Sequence, residues 1–221
     1  TDVAEHALVR ERFPALAQAA GRVASPQIRN QGTLGGNVSQ DARCAYYRRG
    51  WHCYRARGNV CYADTPTAMN REHAILQADR CVAVSPSDTA PALIALDAEM
   101  VVGRRGGERV VAAADYFMGP GTDITRMTVL RPGELLTAIR IPATWAGTRV
   151  YFDKARDREV WDFALVNVAS SLRLDGSRIA AARLVVGAVA ARPVRLTRVE
   201  QAITGQPLNE VLTIDAQDID T

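Results

Sequence analysis

The sequence predicts an α+β fold: a mostly antiparallel sheet with flanking helices. Three observations predict it. Two pairs of strand-forming runs face each other across short polar turns. MVVG and RVVA flank RRGGE, and SSLRL and RIAAARLVVGAV flank Asp175-Gly176, the strongest hairpin signal in the chain. Leu8, Val9, Phe13, Leu16 and Ala20 recur at roughly helical spacing near the start. The 221 residues are 48% hydrophobic and 23% charged, a balance that buries a core.

The elements follow in order. The early stripe places helices over 3–12 and 14–24, with Pro14 suited to a first helical turn. A glycine-rich segment in loop conformation comes next, then an excursion over 41–80 with no sustained period. An irregular loop of that length in a compact domain is functional or disordered, and its cysteines argue for function. CVAVS (81–85) reads as a strand. Ser87 or Asp88 caps a short helix holding Ala92, Leu93, Ala95 and Leu96. Beyond the first hairpin, 135–141 and 148–154 read as strands joined across Pro142 and Gly147. The second hairpin leads into a helix within PVRLTRVEQAITGQP, with Val194, Val199, Ala202 and Ile203 on one side and Gly205 as its stop. The last ten residues show neither cap nor partner. The change of texture between 140 and 160 divides the chain into units 1–145 and 146–221.

Charge and hydropathy exclude some functions. A net charge of +3 is too mild to argue for nucleic acid. No apolar run approaches the ~20 residues of a membrane helix. The opening TDVAEH shows no signal peptide and no Met. Of 27 basic residues only Lys154 is a lysine. A GC-rich genome explains the arginines; Lys154 is either chance or a site where only a compact ammonium fits, and its bland alternative is an exposed strand charge.

IRNQGTLGGNVSQ (28–40) concentrates glycine around Thr33. It is neither a Walker loop nor a G-x-G-x-x-G fingerprint. Its glycines still let main-chain N–H groups converge on an anion without Cβ interference, and Thr33 adds a hydroxyl. A pyrophosphate is the natural guest; a tight structural turn is the other reading.

The four cysteines fall as Cys44-x8-Cys53-x7-Cys61-x19-Cys81. Confinement to one region favours a metal or disulfide site over scattered structural cysteines. A 4Fe–4S cluster needs four thiolates and no obligatory C-x2-C pair. Arg43, Arg48, Arg49, Arg55 and Arg57 would offset its negative charge. Structural zinc usually shows closer pairs, two disulfides suit an exported domain, and free thiols are the last reading. His52 is a spare ligand, and His73 a packed or surface residue. Trp51, Tyr46, Tyr47, Tyr54 and Tyr62 either shield a cluster or pack the loop.

ASPQIRNQGTLGGN (24–37) resembles the second pyrophosphate-binding segment of the FAD subunit of molybdenum hydroxylases, the xanthine dehydrogenase and carbon monoxide dehydrogenase family. SPSD (85–88) resembles the family's P-x-S-D, GELLTAIRIP (133–142) its next strand, and YFDKARDREVWDFALVNVA (151–169) its Y-x-K-x-x-R segment. ARLVVGAVAARPVRLTRVEQAITG (182–205) resembles its small C-terminal domain, so the likeness runs through nearly the whole chain in family order. The excursion RCAYYRRGWHCYRARGNVCY…NREHAILQADRC resembles the inserted loop of two branches, the 4-hydroxybenzoyl-CoA reductase β subunit and bacterial aldehyde oxidoreductases.

The resemblance implies an incomplete FAD-binding domain of the vanillyl-alcohol-oxidase/PCMH type, with a small C-terminal α+β domain. Residues 1–145 would be the second FAD-binding subdomain, with the Cys-rich insertion at 38–81, and 146–221 a truncated flavoprotein C-terminal domain. Thr33, Gly35, Gly36 and Asn37 would hold the pyrophosphate. Asp88 would bind the adenosine end, Leu136 would pack the rings, and Lys154 would lie near the isoalloxazine. Cys44, Cys53, Cys61 and Cys81 would ligate a 4Fe–4S cluster. Relatives would carry a first A-G-G-T-D-L-like loop on about 80 to 100 further residues; that loop is not in this sequence, so the cradle would be complete only where another chain or fragment supplies it. The implied function is electron transfer through FAD and the cluster, beside partners bearing the molybdenum cofactor and 2Fe–2S centres. The setting would be cytoplasmic, or periplasmic if exported with a partner. No acid, base or nucleophile is implied on this chain. The alternative is a non-enzymatic metal-binding or assembly module that has lost FAD.

Overall fold

The computed structural model describes residues 1–208. Its opening helices are shorter than the apolar stripe predicts. α1 (Asp2–Glu5) and α2 (Ala7–Arg12) are separated at His6, whose backbone is extended at φ −61°, ψ 125°. α3 (Pro14–Gly21) begins with Pro14 in its first turn and buries Ala15, Leu16, Ala17 and Ala19.

The glycine-rich segment is not a bare loop. It forms two short helices, α4 (Pro26–Gln31) and α5 (Leu34–Val38). Each is started by a hydroxyl. Ser25 Oγ accepts from the Ile28 amide at 3.4 Å, and Thr33 Oγ1 accepts from the Gly36 amide at 3.0 Å. These caps satisfy first-turn donors that glycine's low helix propensity would otherwise leave to water.

The excursion is irregular as expected, holding only α6 (Ala45–Arg48) and a 3-10 turn at Tyr54–Ala56. CVAVS, read as a strand, belongs to no sheet. Its chain makes isolated bonds instead: Val82 O accepts from the Ala74 amide, and the Ser85 amide donates to Ala190 O at 3.0 Å. Single bonds to two different segments do not build a ladder.

α7 (Ala90–Ala95) is buried along its entire length. Its N-cap is Thr89 rather than the expected Ser87 or Asp88, and Thr89 makes no side-chain capping bond; the Ala90 amide donates instead to Ser87 Oγ at 3.1 Å. Two antiparallel sheets follow. β1 (Glu99–Arg104), β2 (Gly107–Ala112) and β3 (Leu135–Arg140) form the first, in the order β2-β1-β3, with the four-residue helix α8 (Ala113–Tyr116) after β2. β4 (Arg149–Ala155), β5 (Val166–Asp175), β6 (Arg178–Gly187) and β7 (Val194–Arg195) form the second, in sequence order. Asp175 faces Arg178 across the predicted hairpin, and Gly176 takes the left-handed φ of +57° that the turn requires. The C-terminal helix predicted within 193–207 is shortened to α9 (Thr197–Ile203), because Val194 and Arg195 extend the sheet first.

One apolar core joins Leu16, Leu93, Leu96, Met100, Val102, Trp145, Phe152, Ala169 and Val185, so α3, α7 and both sheets share it. A smaller cluster of Val194, Leu196 and Val199 lies under α9. The reading of the last ten residues falls outside the described residues.

Candidate functional site

The seven residues expected around a dinucleotide form one connected array. Thr33 starts α5, and the following amides of Leu34 and Gly35 are first-turn donors with no helical carbonyl to meet. Gly36 leaves room there: a Cβ would approach Thr33 Oγ1 to 3.1 Å. Gly35 lies against Leu136 of β3, whose side chain would be 3.8 Å from an added Cβ. Asn37 closes the turn on its other side. Its Oδ1 accepts from Ser87 Oγ and Thr89 Oγ1, both at 2.7 Å, which fixes α5 to the segment that starts α7. Ser39 and the buried Tyr116 share a further bond of 2.7 Å.

Asp88, between Ser87 and Thr89, is 4% exposed. Lys154 Nζ donates to its Oδ2 at 2.6 Å, and Asn167 Nδ2 to its Oδ1 at 3.3 Å. Lys154 is therefore no exposed strand charge; it is 5% exposed. Its other two protons go to Asp162 O at 2.8 Å and Arg22 O at 3.1 Å. All three ammonium donors are engaged, so Lys154 ties together β4, the segment after α3 and the loop before β5. Burial pushes the Asp88 carboxyl up, and the charge and hydrogen bond of Lys154 act in the opposite sense.

The four cysteines are free thiols that line one small cavity. Tyr46, Tyr47, Arg55, Tyr62, Ala63, Val82 and Ala83 complete its wall. Cys44 and Cys81 also pack on Ala42, Ala83 and Met127. The irregular chain reaches this shape through close approaches. At Gly58, whose amide donates to Cys53 O at 2.7 Å, a Cβ would overlap the His52 carbonyl. Trp51 stacks edge-on against Tyr46 and Tyr62, with ring centres 5.1 and 4.7 Å apart. His52 is exposed and does not line the cysteine cavity. Burial pushes the Cys81 thiol up; the Ala83 amide and Arg55 oppose this, and the nearby Cys61 and Cys44 add to it.

A larger cavity of about 460 Å³ is lined by residues of both arrays, Cys44 and Asp88 among them. His73 lines it, buried, with neither ring nitrogen partnered among the described residues. Burial pushes the His73 imidazole below its usual range. Sequence reasoning missed Asn167. A lone amide at a buried position of the alternating β5 pattern, otherwise Val, Ala and Ser, was the available signal.

Residues 1–144 match the FAD binding domain in molybdopterin dehydrogenase, and residues 150–219 the CO dehydrogenase flavoprotein C-terminal domain. The chain is 38% identical over 200 residues to the aldehyde oxidoreductase FAD-binding subunit PaoB of Escherichia coli, covering 89% of this chain and 61% of that one. It is 28% identical over 214 residues to the glyceraldehyde dehydrogenase medium chain of Sulfolobus acidocaldarius, covering 97% and 59%. Among solved structures, carbon monoxide dehydrogenase from Hydrogenophaga pseudoflava aligns with a TM-score of 0.65 at 26% identity, over 95% of this chain and 56% of that one. The chain thus spans little more than half the length of the relatives it matches. No helix among the described residues is long and apolar enough to cross a membrane. With both family matches covering the chain from end to end in the expected order, it belongs to the FAD-binding subunits of the molybdenum hydroxylase family.

Proposed function

We propose that this chain is the electron-transfer flavoprotein component of a molybdenum hydroxylase complex, holding part of an FAD site and a 4Fe–4S cluster. The observation that carries the cluster is the gathering of Cys44, Cys53, Cys61 and Cys81 around one cavity, from positions spread over an irregular loop. The donor set fits. No disulfide joins the four thiols, and among the described residues no three His, Cys, Asp or Glu are gathered tightly enough for a single metal ion. Four thiolates at the corners of a cluster stand further apart than four around one zinc, whose bonds are only about 2.3 Å.

The FAD site fits on separate grounds. Thr33, Gly35 and Gly36 present a capped helix start free of Cβ atoms, and the Leu34 and Gly35 amides would receive the pyrophosphate. Leu136 would pack the ring system beside Gly35. Asn37 holds α5 against α7 through Ser87 and Thr89. The resemblance puts Asp88 and Lys154 at opposite ends of the flavin nucleotide, but they meet at 2.6 Å, so the pair would face one part of FAD and act there as a single buried unit. Bound there, FAD and the cluster would supply exchange between one-electron and two-electron carriers. This chain's residues would set position, exclude water and fix charge.

Partners bearing the molybdenum cofactor and 2Fe–2S centres would complete the enzyme, with an aldehyde or aromatic substrate on the molybdenum subunit. The 38% identity to an aldehyde oxidoreductase subunit favours the aldehyde. Purification of the complex without oxygen, followed by metal, sulfide and flavin analysis, tests the reading. Beyond the iron and sulfide of the partners' 2Fe–2S centres, about four more of each per copy of this chain, with stoichiometric flavin, are expected. Iron without flavin would leave a metal-binding module, and zinc alone would remove the cluster.

A further inference from the structure

Arg55 is the least ordinary side chain in the cysteine excursion. It is 5% exposed, while an arginine is rarely buried without a fully matched set of partners. Two of its nitrogens are matched. Nη1 donates to Ile124 O at 2.9 Å, and Nη2 pairs with Asp41 Oδ1. The guanidinium also lies 5.3 Å from the ring centre of Tyr47. Asp41 is itself held in place. Tyr47 Oη donates to its Oδ2 at 2.8 Å, and the Ala42 amide to its Oδ1 at 2.8 Å. Nε is different: it is buried and has no partner among the described residues. Arg55 meanwhile forms part of the wall of the cavity that the four cysteines line. A buried donor left without an acceptor is destabilising by about 1 to 3 kcal/mol, and sulfur in the cavity is the acceptor at hand.

Resting on the cluster reading above, we infer that the Nε–H of Arg55 donates to a sulfur of the 4Fe–4S group, and that its buried charge raises the reduction potential of that group. The electrostatics fix the sign. One-electron reduction adds one negative charge to an already anionic assembly. A fixed cation behind the sulfurs stabilises the reduced form more than the oxidised one. Asp41 offsets part of that effect, because its carboxylate is half-exposed while the guanidinium is buried. The other arginines of the excursion are less committed: Arg48, Arg49 and Arg57 are exposed, where solvent and salt screen them.

The test is an EPR-monitored redox titration of the anaerobically purified complex, with iron and sulfide measured on the same samples. Arg55→Gln keeps an amide donor and removes the charge. We expect unchanged iron and at least a tenfold fall in the reduced-to-oxidised ratio at fixed ambient potential, a downward shift of about 59 mV for a one-electron couple. Arg55→Lys keeps the charge and should recover most of the shift. Asp41→Asn leaves Arg55 in place and should move the potential upward, so it carries the test if Arg55→Gln loses iron. Wild-type potentials in Asp41→Asn, and in whichever Arg55 variant retains iron, would overturn the inference and leave Arg55 a structural residue. Wild-type complex with no iron and sulfide beyond that of the partners' 2Fe–2S centres would instead sink the cluster reading on which it rests.

Discussion

Lys154 and Asp88 meet at 2.6 Å with side-chain exposures of 0% and 5%, the most deeply buried ion pair described in the chain. Taking both charges out of water is unfavourable, and only mutual attraction plus full hydrogen bonding offsets it. Both conditions are met here, through Asn167 on the acid and two carbonyls on the base. Removing one member leaves the other buried and alone. Asp88→Asn and Lys154→Met should each destabilise by about 3 to 5 kcal/mol, and the double variant by much less than the sum. Urea unfolding of the four proteins checks this; additive losses would show that the pair is not coupled.

The inward position of Lys154 was legible, because it alternates with Phe152 on the buried face of β4. Its partner was not. Asp88 lies 66 positions away on a segment with no regular structure of its own, and no local period connects them. Both hairpins and the strands of the two sheets followed from alternation and turn chemistry, whereas CVAVS, read as a strand, joins no sheet. The helical state of LGGNV did not, because two glycines hide a helix whose start depends on one threonine hydroxyl. The cysteine spacing pointed to a shared site, yet Arg55 was indistinguishable from its neighbours. Which arginine is buried is decided by Asp41 and by Ile124, far along the chain.

Trp145, Asp97 and Arg183 link the segment between the sheets to β6. Trp145 Nε1 donates to Asp97 Oδ2 at 2.6 Å, and Arg183 Nε to Oδ1 at 2.9 Å, with the guanidinium 5.0 Å from the indole ring centre. Asp97 also sits at φ +49°, where Asn is tolerated and Ala is strained. Asp97→Ala should therefore destabilise by about 2 to 4 kcal/mol, combining an unsatisfied buried indole with backbone strain. Asp97→Asn, which keeps an acceptor and the backbone preference, should lose less. Thermal melts of the two variants read the difference, and equal losses would refute this account of Asp97.

Glu134 gives the chain an acid-side limit. Arg109 grips both of its oxygens, at 3.0 and 2.8 Å, and the Arg131 amide adds a bond of 2.9 Å. The Arg109 hydrogen bonds, followed by that amide, lower its pKa from 4.5 to about 2. A carboxyl depressed in the folded state contributes stability that is complete above its unfolded value and is lost as pH falls through the folded one. Stability should therefore drop between pH 4.5 and about 2, and Glu134→Gln should flatten that part of the curve. Denaturation midpoints at pH 6, 4 and 3 decide it; parallel curves would show that Glu134 does not contribute.

Gly36 offers a separation of folding from binding. Alanine has a helix propensity better than glycine by about 1 kcal/mol, and Gly36 lies inside α5 at an ordinary helical backbone. The added methyl would sit 3.1 Å from Thr33 Oγ1, a contact that a small side-chain shift relieves. Gly36→Ala should thus leave the melting temperature of the chain unchanged or slightly raised. The same methyl stands where a diphosphate would approach the Leu34 and Gly35 amides, so flavin affinity should fall by an order of magnitude, about 1.4 kcal/mol. Thr33→Ala reverses the balance for stability, losing the cap and about 1 kcal/mol, and should weaken flavin as well. Flavin-to-protein ratios after gel filtration of the complex, set beside the melts, test both. Full flavin occupancy in Gly36→Ala would move the pyrophosphate away from α5.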